Sequence, residues 1–203
     1  MHTNTTQRRI LATAGGAIAL CGLAFGAVGC STSDNATGSS SSAASSASTH
    51  NDADVTFNSM MIPHHQQAVE MAELVNGRTT NPQLIALATR IKNAQQPEID
   101  QMTARLTSWG VETSTDEHST DEHSGHGDMS GMMSEADMAA LRAASGAEFD
   151  TRWINMMIQH HMGAIAMADT EIAEGSDPAS KALAAQIKST QQAEIDEMGR
   201  IGG

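Results

Sequence analysis

The 203-residue chain carries 24 acidic and 11 basic residues, a formal net charge of −13, with two Trp, three Phe and no Tyr. Such an acidic chain is not a nucleic-acid binder. With so few aromatic residues, a core has to be built from Ala, Leu, Ile and the 14 methionines.

In chain order, Arg8 and Arg9 precede an uncharged apolar run over residues 10–29, which reads as an export signal. The run ends in Ala27-Val28-Gly29-Cys30, small residues before a cysteine. This resembles a lipobox, which implies cleavage before Cys30 and a lipid on its sulfur. Residues 1–29 are thus expected to be a lipoprotein signal peptide, and the mature protein to sit on the outer face of the membrane. The competing reading is an uncleaved anchor, against which stands the polar stretch that begins directly after Cys30. Cys21, the other candidate, follows the bulky Leu20. Removal of the signal leaves nine basic residues against 24 acidic and a charge of −15. It also leaves no free thiol, so a metal could be held only by His, Met, Asp or Glu. Residues 30–53, rich in Ser, Ala and Thr, form a flexible tether.

The folded part, residues 54–199, contains a duplication. Residues 57–102 align with 153–198 at an offset of 96 without a gap, with 20 identities in 46 positions. MMIPHHQQAVEMA (60–72) matches MMIQHHMGAIAMA (156–168), and QQPEIDQM (95–102) matches QQAEIDEM (191–198). In each copy a first helix is predicted from apolar spacing, with Phe57, Met61, Ala68, Met71 and Val75 on one stripe. A second begins at Asn81-Pro82, or Asp177-Pro178, a capping residue followed by proline. Leu84, Leu87, Ala88, Ile91 and Met102 make its inner face. With a short extra helix from Met138 to Ala144, the expected fold is an all-α four-helix bundle whose two hairpins are related by a pseudo-twofold axis. Pro63 and Pro97 fall inside copy-one helices and are expected to kink or restart them. If the helix began at Pro63, Met60 and Met61 would lie on the preceding turn.

The chemistry sits on the first helices. Met60 and His64, and Met61 and His65, are spaced i, i+4, and Met71 lies two turns beyond His64. Copy two repeats this with Met156, Met157, His160, His161 and Met167, and adds Met162. Imidazole suits Cu(II) and other ions, and thioether selects Cu(I) or Ag(I), so the mixture points to copper. The plainer explanation of any one methionine is core packing. His64 and His160 lie nearest the inner line, His65 and His161 to its side. On the second helices, Gln95 and Glu98, and Gln191 and Glu194, share the buried stripe; a buried carboxylate needs a partner, and the facing histidines are the natural one. A structural Glu–His hydrogen bond without metal stays open.

Between the copies, a polar linker over residues 111–134 holds His118, His123, His126, Met129, Met132 and Met133. It is expected to be disordered without metal and to serve as an auxiliary metal-capture segment. A merely solvated linker is the other reading.

The duplicated M-I-x-H-H with its following Met-Ala, the Asn/Asp-Pro helix start and the Q-x-x-E-I-D-x-M ending resemble family number 305 of the domains of unknown function, with its CopM-like copper-binding members. The likeness spans about residues 52–199. It implies a ferritin-like fold and a role in copper binding and tolerance outside the cytoplasm. The function expected is therefore a non-enzymatic copper-binding lipoprotein, with copper ions bound, no organic cofactor, and a copper-transfer protein or a second copy as possible partner. Two alternatives stay open: a ferritin-like di-metal oxidase, which would need a Glu where Met61 and Met157 stand, and a structural helical lipoprotein without metal.

Overall fold

In the computed structural model, residues 50–111 and 130–202 are described. They form five helices and no strand: α1 (Asp52–Glu73), α2 (Pro82–Ser108), α3 (Glu135–Ala143), α4 (Gly146–Glu174) and α5 (Pro178–Gly202). No helix among them is long and apolar enough to cross a membrane. The proposed signal peptide with Cys30, most of the tether, and His118, His123, His126 and Met129 lie outside the described residues.

Local sequence explains where the helices start. Asn51 caps α1 through a reciprocal capping box with Asp54, and Ser134 does the same for α3 with Asp137. Asn81 accepts from the amides of Gln83 and Leu84 ahead of Pro82, and Asp177 accepts from the Ser180 amide beyond Pro178. Neither internal proline restarts its helix: α1 runs through Pro63 and α2 through Pro97. Each costs one backbone N–H, a local loss that burial of the apolar stripe outweighs. Met60 and Met61 therefore lie within α1.

α1 packs against α2, α4 against α5, and the two hairpins meet chiefly along α1 and α4. Two apolar clusters result. The smaller contains Phe57, Met61, Met102, Ala164, Ala168, Leu183, Ala184 and Ile187. Shifted by 96 positions these become Trp153, Met157, Met198, Ala68, Ala72, Leu87, Ala88 and Ile91, all in the larger cluster. The duplication thus exchanges the two ends of the bundle, as a twofold axis across its middle does. The hairpin tie repeats too, with Lys92 paired to Glu73 and Lys188 to Asp169. The symmetry breaks at α3, whose Met138 and Leu141 join only the larger cluster.

A candidate metal centre in the middle of the bundle

Between the clusters lies a buried polar layer. His64 of α1 and His160 of α4, equivalent under the duplication, meet with ring centroids 3.7 Å apart and planes at 38°, both without solvent exposure. Burial, reinforced by the neighbouring His65, pushes the His64 pKa down to about 3. Burial and the facing His64 hold that of His160 well below the ordinary value. Both rings are neutral at physiological pH and keep a lone pair.

Each second histidine is held by its own hairpin. His65 Nε2 lies 3.0 Å from Glu98 Oε2, and His161 Nε2 lies 2.7 Å from Glu194 Oε2. A carboxylate accepting from Nε2–H fixes the tautomer, so that Nδ1 carries the lone pair. Both Nδ1 atoms are buried and make no hydrogen bond. The same holds for His64 Nδ1, both ring nitrogens of His160, and the amide groups of Gln95 and Gln191. The backbone carbonyl of His64 approaches the His160 ring without reaching hydrogen-bond geometry. Nine buried polar atoms of these histidines and glutamines thus find no hydrogen-bond partner within the chain.

The end of the linker closes one side of the layer. Ser130 carbonyl oxygen lies 3.3 Å from His64 Nε2. The Gln67 amide clamps Met133, donating to its carbonyl at 2.9 Å and accepting from its N–H at 2.7 Å. The close approach needs two glycines. A Cβ on Gly163 would lie 1.8 Å from the Ser130 carbonyl oxygen, and Gly131, at φ +84°, faces the backbone of Gln159 and Gly163. Residues 130–134, the end of the predicted linker, are held against the bundle by this glycine packing and the Gln67 clamp.

The predicted site residues separate into groups. All four histidines are fully buried: His64 and His160 meet across the bundle, while His65 and His161, to the side of the inner line, are covered by α2 and α5. Gln95, Glu98, Gln191 and Glu194 are buried as expected. Met61, Met71, Met156 and Met157 belong to the apolar clusters. Met60 and Met167 are only partly buried and line a cavity, Met132 and Met133 lie half-buried on the strap, and Met162 is 60% exposed. Among the described residues no group of three or more His, Cys, Asp or Glu could hold a metal ion by itself.

Sequence reasoning did not find a second buried pair, Asp54 and Glu171. Burial and the adjacent Asp54 push Glu171 up to about 8. For Asp54, burial acts upward but is outweighed by hydrogen bonds from the Asn51, Asp177 and Ser176 amides and from Glu171, and its pKa is lowered. Both Glu171 oxygens lack an N–H or O–H donor from the chain, consistent with a proton that Glu171 shares with Asp54. The signal was in the repeat: Glu171 occupies the position of the buried Val75.

The family described as Domain of unknown function (DUF305) matches residues 54–201. A DUF305 fragment from Deinococcus radiodurans shares 31% identity, covering 75% of this chain and 97% of that one at a TM-score of 0.65. A DUF305 protein from Streptomyces coelicolor, provisionally described as secreted, shares 31% over 72% and 89% of the two chains, TM-score 0.64. CopM in its Cu(II)-bound form shares 33% over 73% and 95%, TM-score 0.62, and CopM is also known in Cu(I)-bound, silver-bound and apo forms. No functionally curated sequence matches significantly. Duplicated hairpins, paired histidines and these matches agree: the chain belongs to the DUF305 family.

Proposed function

We propose that this protein binds copper outside the cytoplasm, buffering it, conferring tolerance or delivering it, and that it catalyses no reaction. The observation that carries the reading is the neutral, fully buried pair His64 and His160 at the pseudo-twofold axis, with Nδ1 of His65 and His161 on the adjoining positions also buried and without a hydrogen bond. Imidazole nitrogen, with the buried thioethers of Met61 and Met157 one helical turn before the histidines in sequence, suits Cu(I) and Ag(I), ions content with few ligands. Glu98 and Glu194 orient their histidines from behind. The copper-bound forms of CopM, at 30–33% identity, support the same cargo. Met61 and Met157 stand where a di-metal oxidase places carboxylates, so nothing favours oxidase chemistry. The signal-like N-terminus and Cys30 support export with a lipid anchor on the outer membrane face, and the His/Met-rich residues 118–133 an auxiliary capture role.

Titration of the exported protein with Cu(I) and Ag(I) tests the reading. The His64→Ala, His160→Ala double variant should bind its tightest ion about 100-fold or more weakly. Unchanged affinity in a variant that still unfolds cooperatively would remove the site.

A further inference from the structure

Gln67 and Gly163 stand three residues after His64 and His160 and are equivalent under the 96-residue offset. In copy one this position carries the side chain that clamps both backbone groups of Met133, at 2.9 and 2.7 Å. In copy two it carries no side chain, and the backbone of Ser130 and Gly131 fills the space. A Cβ on Gly163 would lie 1.8 Å from the Ser130 carbonyl oxygen and 2.8 Å from the Gly131 Cα. Exchanging the two residues would remove both the anchor and the seat of the strap over residues 130–133. A connecting loop normally runs over the surface without such fittings. What the two divergences have in common is the strap.

Seated in this way, the strap brings one carbonyl to a buried imidazole, with Ser130 oxygen 3.3 Å from His64 Nε2. A carbonyl oxygen can only accept, so the contact is favourable when Nε2 carries the proton and Nδ1 is bare. The other tautomer would set two lone pairs against each other in a buried site. Glu98 and Glu194 act in the same way on His65 and His161, at 3.0 and 2.7 Å. Ser130 is thus to His64 what the glutamates are to their rings, through a neutral and longer bond that holds less strongly. His160 has no such group, for neither of its ring nitrogens is hydrogen-bonded. One linker supplies one strap for two equivalent rings, so the twofold symmetry of the layer ends at this pair.

We infer that the strap is a positioning element of the buried histidine layer: Ser130 holds His64 as the Nε2–H tautomer, Nδ1 is the nitrogen His64 offers to a ligand, and an ion bound there holds the strap down in return. The last step rests on the copper reading above; the tautomer does not. Such coupling is reciprocal, so the factor that a seated strap adds to ion affinity is the factor that the bound ion adds to seating of the strap. His160, which no group fixes, is free to present either nitrogen.

Long-range ¹H–¹⁵N NMR of the metal-free exported protein tests the tautomer, and addition of Ag(I) tests the coupling. His64 should show a protonated Nε2 and a bare Nδ1. In the Gln67→Met variant, which releases Met133 without adding bulk, the two tautomers should mix. That variant and Gly163→Ala should each bind their first silver ion about 10-fold more weakly. In the natural protein, silver should slow hydrogen exchange at the Met133 amide by a similar factor. A His64 ring protonated at Nδ1 in the natural protein would overturn the positioning. Met133 exchange left unmoved by an ion that does shift the histidine rings would overturn the coupling. Histidine rings silent at silver saturation, with His64 still protonated at Nε2, would defeat the copper reading and the coupling that rests on it while upholding the tautomer.

Discussion

Glu98 and Glu194 decide which nitrogen of His65 and His161 is left free, although neither needs to touch an ion. A glutamine there can still accept a hydrogen bond but without the negative charge that favours Nε2–H. The Glu98→Gln, Glu194→Gln double variant should therefore keep the fold and lose about 10- to 100-fold in Ag(I) affinity, read by competition titration. These partners were legible in the sequence because a carboxylate on an apolar stripe has few ways to be buried, and the repeat showed it twice. The full burial of His65 and His161 was not, since a helical wheel knows one helix and burial comes from the neighbours. The methionines were the least legible of all. Met60 and Met61 are adjacent in sequence, yet one borders a cavity and the other a core.

Among the elements, the strap over residues 130–133 had no sequence signature, because Ser-Gly-Met-Met continues a polar linker without periodicity. What orders it lies elsewhere in the chain, in Gln67 and in the absence of a Cβ at Gly163. Gly163→Ala would place a methyl group against the Ser130 backbone and should displace the strap at a cost of about 1–3 kcal/mol. Hydrogen exchange at the Met133 amide, now bonded to Gln67, should speed up in that variant while amides of α2 stay protected. Unaltered exchange there would mean that the interlock does not hold the strap. The helix starts, by contrast, were readable down to the residue, since Asn81-Pro82 and Asp177-Pro178 carry their own capping chemistry. At the internal prolines the restart that local sequence allows does not occur, since tertiary burial of the apolar stripe carries each helix through.

For the whole molecule, the duplication puts the polar layer on the symmetry axis and the hydrophobic clusters at either end, so one mutation in an ancestral hairpin is felt twice at the centre. It also sets the pH response of the metal-free protein. The folded-state pKa of His64 is about 3, below its ordinary 6.5, and that of His160 is also depressed. Below pH 6.5 the unfolded chain therefore takes up protons that the folded one refuses. Stability should fall as pH drops from about 6.5 towards 3, by up to about 1.4 kcal/mol per pH unit for His64, with His160 acting in the same direction. Glu171 acts oppositely: raised from 4.5 to about 8, it favours the folded state less as pH rises through that interval. Chemical denaturation should thus show a maximum near pH 6.5, with Glu171→Gln flattening the fall above it and steepening the fall from there to about 4.5. A stability that rose steadily on acidification would refute this assignment of buried neutral rings.

The most direct measurement of the central claim is the silver titration read at the imidazole nitrogens, by long-range ¹H–¹⁵N NMR of the exported protein. The account predicts that ring nitrogens of His64 and His160, with Nδ1 of His65 or His161, move together on the first tightly bound ion, while Nε2 of His65 and His161 stays protonated. Binding confined to His118, His123 and His126 of the linker, with the four buried rings unmoved, would contradict it.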